Sequence, residues 1–341
     1  MIDIKSLTYQ QLAQVMEQKG QPNFRTKQIF EWLHKRNVSD FGQMTNLSAQ
    51  LREELSAEFY LNCLKIKKKL VSRIDDTVKY LYELQDGECV ESVFMKYQYG
   101  NSICISTQVG CRMGCSFCAS TKAGFVRCLT PSEMLEQVYR TEQDTGQKIS
   151  NIVLMGIGEP LDNFENVMAF LELISHPSGR NLGQRHITLS TCGLVPRIYE
   201  LADRKLQITL SISLHAPNNT MRSKTMPVNL KYPIEELLEA CCYYIQQTNR
   251  RISFEYALIK GVNDREQDAN ELAARLKPLL CHVNLIPVNE IKERDYQASK
   301  KQNVIRFSRL LEQSGINVTV RRTLGQDINA ACGQLRRDNR S

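Results

Sequence analysis

Three cysteines in the pattern Cys-x3-Cys-x2-Cys constrain this chain more than any other feature of its sequence: Cys111, Cys115 and Cys118. Thiolates at this spacing can bind three of the four irons of a 4Fe–4S cluster, which leaves the fourth iron without a protein ligand. An open iron can chelate a small molecule, and the amino and carboxylate groups of S-adenosylmethionine suit that position. Electron transfer to the sulfonium then gives a 5′-deoxyadenosyl radical, chemistry that side chains alone do not perform.

Two other uses of these cysteines compete with a cluster. Structural zinc takes four ligands, commonly as two pairs, and no second Cys-x2-Cys or His pair follows at that spacing. Disulfides are the second alternative, since the chain has 12 cysteines. However, the stretch after Met1 is polar and mixed and has no apolar signal-peptide core, so we expect a reducing, cytoplasmic compartment in which disulfides do not persist.

Composition is ordinary for a globular protein, with 42% hydrophobic and 24% charged residues. The formal net charge of +7 permits an anionic partner without requiring one. Positive charge is concentrated in Lys65 and Lys67–Lys69, in Arg321–Arg322 and in Arg336–Arg337. The lysine run predicts either an RNA contact or an ordinary solvated face.

Most of the first ninety residues show the spacing of apolar residues that is typical of helices. Apolar residues at helical spacing predict helices over 8–19, 25–35 and 48–58, and alternation predicts a strand over 77–84. We therefore expect residues 1–90 to form a small helical domain that leads into a β-hairpin and serves as an accessory RNA-binding domain.

Beyond residue 91 the pattern changes to strands that alternate with helices, which predicts a parallel sheet with right-handed crossovers. Strands are predicted over 102–108, 151–155, 186–190, 207–214, 252–256, 282–285 and 317–321. Helices are predicted over 131–143, 164–174, 194–202, 234–247, 266–276 and 303–313. Six such units give an α/β fold, a partial (βα)6 barrel over residues 91–341, in which the chemistry lies at the carboxyl ends of the strands.

Several polar residues fall at those predicted strand ends. Gly158 and Glu159 belong to a glycine-rich turn that follows a strand, where the backbone can approach a ligand closely. Hydroxyl, imidazole and amide groups at the next strand ends suit hydrogen bonds to ribose and carboxylate: Ser190, Ser213, His215 and Asn289. A buried histidine satisfied by the backbone is the alternative for His215.

These motifs together resemble the RlmN/Cfr family of radical S-adenosylmethionine RNA methyltransferases over nearly the whole chain. The resemblance rests on the cysteine triplet, on Met155-Gly-Ile-Gly-Glu-Pro160, on Ser213-Leu-His-Ala-Pro217 and on Asp327-Ile-Asn-Ala-Ala-Cys-Gly-Gln-Leu335. Val109 and Pro160 favour the RlmN branch, which methylates carbon 2 of adenosine in 23S rRNA and in certain tRNAs. The other branch methylates carbon 8 of the same rRNA adenosine and confers antibiotic resistance.

The resemblance implies a role for each matching residue. One S-adenosylmethionine methylates Cys332, and a second, at the open iron, generates the radical that takes hydrogen from that methyl group. Cys104 then attacks Cys332 to form a transient disulfide and release the RNA, while Glu91 accepts a proton. The resemblance also implies a binding set for S-adenosylmethionine, which consists of Gly158, Glu159, Ser190, Ser213, Leu214, His215 and Asn289.

Several expectations about partners follow. We expect rRNA and tRNA as substrates, a flavodoxin-type reductant, a monomeric chain and no membrane contact. A metal-stabilised RNA-binding protein without catalytic activity is the alternative from a different class, and it predicts zinc and no cleavage of S-adenosylmethionine.

Overall fold

The computed structural model describes residues 1–289 and 296–335. Its largest feature is a β-sheet, mostly parallel, that is covered by helices. Its helices are α1 (Tyr9–Gln18), α2 (Phe24–His34), α3 (Ala49–Glu58), α4 (Pro131–Thr145), α5 (Phe164–Ser175), α6 (Val195–Asp203), α7 (Asn219–Thr225), α8 (Ile234–Thr248), α9 (Glu266–Leu276) and α10 (Lys301–Gln313). Its strands are β1 (Ile2–Asp3), β2 (Phe59–Tyr60), β3 (Lys65–Val71), β4 (Val78–Glu83), β5 (Cys89–Tyr97), β6 (Gly100–Cys104), β7 (Gln108–Gly110), β8 (Phe125–Cys128), β9 (Ile149–Leu154), β10 (Ile187–Thr191), β11 (Thr209–Ser213), β12 (Ile252–Leu258), β13 (Cys281–Pro287) and β14 (Asn317–Val320).

The main sheet has ten strands in the order β14-β13-β12-β11-β10-β9-β6-β5-β4-β3. Neighbours from β6 through β9 to β14 pair in parallel, whereas β3, β4 and β5 pair antiparallel. Helices α4, α5, α6, α8, α9 and α10 connect the parallel strands in turn. This arrangement confirms the predicted partial (βα)6 barrel, and all the carboxyl ends of its strands meet at one rim.

Local sequence explains where the helices begin. The side chains of Thr8 and Thr130 each accept a hydrogen bond from the backbone N–H of the third helical residue. The side chain of that residue accepts in turn from the backbone N–H of the threonine, so a capping box begins both α1 and α4. Pro131 at the first position of α4 adds a fixed φ where no backbone donor is needed. Apolar residues on the inner faces of these helices pack against the sheet in one large core that also includes the N-terminal helices.

The N-terminal residues are fastened to α4 by buried polar contacts. Lys5 Nζ lies 2.7 Å from Glu136 Oε1, and both side chains are 1% exposed. Lys5 also donates to the carbonyl of Asn62, and Asp3 accepts from the hydroxyls of Ser6 and Ser132. Because a buried charge is costly without its partner, this pair couples the fold of the first residues to the barrel.

The hairpin β3–β4 continues the main sheet beyond β5, and its turn reaches the C-terminal loop. Ser72 Oγ donates to Asp327 Oδ1 at 2.7 Å, and Gly325 N donates to Asp75 Oδ2 at 2.9 Å. The division of the chain at residue 90 stays a prediction. The lysine run lies on the exposed edge strand β3, whereas Arg336–Arg337 fall outside the described residues.

One predicted strand is divided in the structure. The stretch 102–108 breaks after Cys104, because the next residues bond instead to the turn that follows β9. Gly156 N donates to the carbonyl of Ile105 and Thr107 N donates to the carbonyl of Ile157. Helix α7 was not predicted. None of the helices in the described part of the chain combines the length and hydropathy needed to cross a bilayer.

Candidate active site

A cavity of about 990 Å³, including its open mouth, lies at the carboxyl ends of the parallel strands. Ten of the residues that the sequence singled out line it: Cys111, Cys115, Cys118, Gly158, Glu159, Ser190, Ser213, His215, Asn289 and Cys332. The barrel therefore gathers residues that are up to 221 positions apart in the sequence, as a strand-end site requires.

The three cysteines stand in the loop between β7 and β8. Ser116 N donates to the carbonyl of Thr225 at 2.8 Å, and Ala119 N donates to the carbonyl of Gly333 at 2.8 Å, so α7 and the C-terminal loop hold this segment on both sides. Gly114 adopts a φ of +74°, a conformation that suits glycine in a tight loop. The loop is therefore fixed at both flanks.

Burial raises the pKa of all three thiols, that of Cys111 to about 12. A metal must therefore displace the thiol protons on binding, which is how thiolate sites couple metal affinity to pH. Among residues 1–289 and 296–335, no three His, Cys, Asp or Glu side chains converge on a point that one metal ion could occupy. In a cubane cluster each thiolate binds a different iron, so three thiols on one loop can hold three of its four irons.

The glycine-rich turn after β9 is built around Gln108. Its Oε1 accepts from Glu159 N at 2.9 Å, and its Nε2 donates to Asp162 at 2.8 Å. Gly158 has a φ of +109°, and a Cβ there would lie 2.6 Å from the Cβ of Gln108. Only glycine fits this approach to Gln108, and the contact of Gly158 with a ligand stays a prediction.

Glu159 joins two strand ends. Its carboxylate accepts from Leu161 N at 3.0 Å and from Cys192 N at 2.7 Å, and burial raises its pKa. The carboxylate therefore joins the turn that follows β9 to the end of β10.

Hydroxyl groups and an imidazole line the next two strand ends. Ser190 Oγ lies 3.5 Å from Ser213 Oγ. His215 Nδ1 accepts from Ala257 N at 2.9 Å, which leaves the proton on Nε2, and burial lowers its pKa to about 3. The imidazole is thus a neutral donor, both satisfied by the backbone and lining the cavity. Leu214 is buried and does not line it.

The loop that carries Cys332 closes the cavity from the C-terminal side. Asn289 Nδ2 donates to the Cys332 carbonyl at 3.1 Å, and Ser120 Oγ donates to the carbonyl of Leu335 at 2.9 Å. Cys332 lines the same cavity as the three cysteines, and its backbone is anchored to Asn289, two residues beyond β13.

A second cavity lies on the other side of Cys332. Cys332, Asn289, Met155 and Arg321 line both cavities, and Cys104 lines only the second. Burial raises the pKa of Cys104 to about 12. No disulfide joins any of the 12 cysteines, all of which fall among the described residues, so the transient Cys104–Cys332 bond stays a prediction.

Glu91 lies apart from both cavities, on β5. It is fully buried, forms an ion pair of 3.0 Å with Lys79, and lines a third cavity with Lys68 and Asn329. Alternation along β5 puts Glu91 on the same face as Val93, which lines the second cavity. The C-terminal loop lies next to the Glu91–Lys79 ion pair, since Lys79 Nζ donates to the Asn329 carbonyl at 3.2 Å.

One acidic residue of the first cavity was missed by the sequence analysis. Glu255 is buried in β12 and its Oε2 has no hydrogen-bond partner among the described residues; the nearest cation, Arg321 Nη1, is 3.9 Å away. Its other oxygen accepts from Ser211 Oγ at 2.8 Å. An unpartnered buried carboxylate oxygen in this wall fits a ligand that brings donors, as the ribose and ammonium groups of S-adenosylmethionine do. A single acid inside the apolar run 252–258 was the available signal.

Comparison with protein-family models identifies two segments. Residues 2–61 match the ribosomal RNA large subunit methyltransferase N-terminal domain, and residues 105–273 match the radical SAM superfamily. The first segment includes α1, α2 and α3, and the second includes the cysteine loop and the helices from α4 to α8.

Whole-chain comparisons agree with these segments. The chain is 54% identical over 338 residues to a protein of Clostridium novyi (strain NT), covering 99% of this chain and 98% of the relative. It is 55% identical over 336 residues to one of Alkaliphilus oremlandii (strain OhILAs), covering 98% of each. Both relatives are named "Probable dual-specificity RNA methyltransferase RlmN". The crystal structure of a radical SAM methyltransferase from Sphaerobacter thermophilus superimposes with a TM-score of 0.93 at 41% identity, covering 98% of this chain and 99% of the other.

Proposed function

This chain belongs to the RlmN family of radical S-adenosylmethionine RNA methyltransferases, and from that premise we propose that it methylates carbon 2 of adenosine in 23S rRNA and in tRNA. Membership implies a 4Fe–4S cluster and S-adenosylmethionine as cofactors, and it excludes the non-catalytic RNA-binding alternative. The proposal extends to two molecules of S-adenosylmethionine per turnover, a flavodoxin-type reductant, and a monomer that acts in the cytoplasm.

The proposal depends most on one observation, the position of Cys332 in the wall between two cavities. The first cavity holds the three cluster cysteines, and the second holds Cys104. A thiol in that wall can accept a methyl group on one side and present it to a base on the other. When bound, the cluster and S-adenosylmethionine supply the methyl group and the hydrogen-abstracting radical.

We assign the cofactor contacts on the chemistry of each side chain. Cys111, Cys115 and Cys118 bind three irons. Gly158 lets the backbone approach the methionyl ammonium, and Glu159 holds the turn in place. Hydroxyl, imidazole and amide groups then bind the rest of the molecule: Ser190, Ser213, His215 and Asn289. Leu214 belongs to this set by the family resemblance alone, since it does not line the cavity.

The remaining steps belong to the protein's own groups. Once the methylene carbon on Cys332 is bonded to the base, the adduct would pass its one unpaired electron to the oxidised cluster, and Glu91 accepts the proton that leaves carbon 2. The thiolate of Cys104 attacks the sulfur of Cys332, so that an S–S bond forms as the S–CH2 bond breaks. The electron pair of the broken bond stays on carbon, which takes up a proton and becomes the methyl group. A reductant then restores both thiols.

Carbon 2 of adenine is electrophilic, so a methyl cation equivalent does not react there, whereas a carbon radical does. The base must also leave its stack to reach a thiol at the barrel rim. The second cavity combines apolar side chains with Tyr97 and two arginines, and such a lining suits an unstacked base.

The test is an anaerobic assay with reductant, S-adenosylmethionine and 23S rRNA or tRNA fragments, followed by digestion and mass spectrometry. Wild-type protein is expected to give 2-methyladenosine, Cys104→Ala to accumulate a covalent protein–RNA adduct, and Cys332→Ala to give neither. Product from Cys332→Ala refutes the mechanism, and 8-methyladenosine from the wild type refutes the position.

We further propose that residues 1–90 form the accessory part that binds RNA, with the lysine run of β3 as a contact. Changing Lys67–Lys69 to glutamine is expected to weaken binding to single-stranded RNA. The slope of log affinity against log salt should fall by about 0.7 for each phosphate that the protein no longer neutralises. An unchanged slope identifies the run as a solvated face.

A further inference from the structure

One buried cation beside the cysteine loop has no role in the chemistry described so far. Arg222, on α7, is fully buried. Its guanidinium donates to the carbonyls of Cys192 at 2.6 Å, Leu214 at 3.2 Å and Ser213 at 3.3 Å, and to Asn229 Oδ1 at 3.1 Å. Every one of these acceptors is uncharged.

No carboxylate in the described ranges 1–289 and 296–335 lies within ion-pairing distance of Arg222. This contrasts with Arg321 on the opposite wall, which faces Glu255 at 3.9 Å. Glu159 and Arg222 bond the same residue without meeting each other. The Glu159 carboxylate accepts from Cys192 N, whereas the Arg222 guanidinium donates to the Cys192 carbonyl. A buried charge without a counter-charge is costly, so a neutral donor would serve better if hydrogen bonding to carbonyls were the whole role.

The surroundings of Arg222 indicate where the missing negative charge lies. Cys115, Cys192 and Met226 form one buried cluster, with Cys118 packed against it. The helix that carries Arg222 is bonded to the cysteine loop, since Ser116 N donates to the carbonyl of Thr225. The guanidinium therefore bonds the backbone of Cys192, whose side chain packs against Cys115 on the loop where three thiolates would place their charge.

We propose that Arg222 is the buried counter-charge of the iron–sulfur cluster and raises its reduction potential. Reduction adds one negative charge to a thiolate-bound cluster, and the potential of such clusters depends on net charge, hydrogen bonds and burial. A fixed cation nearby stabilises the reduced form more than the oxidised form. Because Arg222 also holds the carbonyls of Cys192 and Ser213 at the cavity, it is a positioning residue that acts on the cluster through space.

This inference rests on the cluster and is independent of which base carbon is methylated. The experiment is a redox titration of the anaerobically reconstituted cluster, followed by electron paramagnetic resonance of the reduced form. Arg222→Gln removes the charge and keeps a donor, whereas Arg222→Lys keeps the charge and loses the forked geometry.

A matched control is available at the other end of the barrel. Arg180 is mostly buried and bonds Glu142 at 2.6 Å and the carbonyl of Ile149 at 2.7 Å, at the start of β9 and away from the cysteine loop. Arg180→Gln removes a mostly buried cation that has its own carboxylate partner, and we expect it to leave the potential unchanged.

Arg222→Gln is expected to lower the ratio of reduced to oxidised cluster at a fixed potential by about tenfold or more, which for one electron is about 59 mV or more in the negative direction. Arg222→Lys is expected to stay within about threefold of the wild type. A glutamine variant within about threefold of the wild type overturns the inference, and so does an equal shift in the lysine and glutamine variants.

Thermal unfolding of the cluster-loaded and apo forms separates an effect on the cluster from a general loss of stability. We expect Arg222→Gln to lower the melting temperature more in the cluster-loaded form than in the apo form, and Arg222→Lys to lower it equally in both. Failure of both variants to fold without the cluster assigns Arg222 to structure alone and overturns the inference. A wild-type chain that binds no cluster contradicts the proposed function instead.

Discussion

The release of RNA from Cys332 is expected to accelerate steeply with pH, because the attacking thiol is buried. Burial raises the pKa of Cys104 to about 12, and the neighbouring thiol of Cys332 acts in the same direction. At pH 8 only about one molecule in 10⁴ then carries the reactive thiolate, and that fraction rises about tenfold for each pH unit up to the pKa. If the attack limits release, its rate should rise about a hundredfold between about pH 7 and pH 9.

Single-turnover time courses measure this rate directly. Protein with a methylated Cys332 is mixed anaerobically with RNA, S-adenosylmethionine and reductant, and the covalent adduct is followed by denaturing gel at each pH. Cys104→Ser is the control, in which the adduct should persist at every pH because a hydroxyl does not replace the thiolate. A decay rate that is independent of pH, or a control that resolves as fast as the wild type, refutes this account of the step.

Three further predictions concern the fold and the cofactor turn. Lys5→Met is expected to lower the free energy of unfolding by about 1.5–3 kcal/mol in urea, because it removes the nearer cation of the buried Glu136 carboxylate and leaves only Arg140 at 3.5 Å, and Glu136→Leu added to it should restore most of the loss. Burial lowers the pKa of His34 to about 3. Below about pH 6.5 the unfolded chain therefore binds a proton that the native state excludes. As the pH decreases from about 6.5 to about 3, the free energy of unfolding decreases by about 1.4 kcal/mol per pH unit. His34→Asn should remove that contribution to the slope, and an unchanged slope contradicts it. Gly158→Ala should weaken S-adenosylmethionine binding about tenfold or more by calorimetry, whereas Gly146→Ala, with a φ of +64° and open space at the Cβ, should not.

The barrel was predictable because each of its units has a clear period. Helix α9 begins and ends where the sequence predicted, since apolar residues at helical spacing occupy its inner face. The same regularity put Ser190, Ser213 and Asn289 at strand ends, and the structure brings all three to one cavity.

Features that depend on contacts distant in sequence were not predictable. The strand that contains Cys104 ends there because Ile105 and its successors bond to a turn about fifty residues away. Arg222 stands in a short polar stretch that is typical of a surface turn, and only the fold shows that it is buried. Glu255 carried a sequence signal, an acid within an apolar strand, whose meaning depended on knowing which face lines the cavity.

Glu91 is a predicted site residue that does not line the first cavity, unlike the cysteines and strand-end residues. A glutamate in a strand is usually exposed, whereas this one is fully buried beside Lys79. The ion pair explains how a carboxylate can be held there. Since Glu91 lines neither the first nor the second cavity, its role as proton acceptor stays a prediction.

Iron and sulfide analysis of anaerobically reconstituted protein, combined with detection of 5′-deoxyadenosine after reduction with S-adenosylmethionine, tests the central claim most directly. The account predicts about four irons and four sulfides per chain and 5′-deoxyadenosine from the wild type, with neither from a variant in which Cys111, Cys115 and Cys118 are all alanine. A wild type without iron, or 5′-deoxyadenosine from the triple variant, contradicts it.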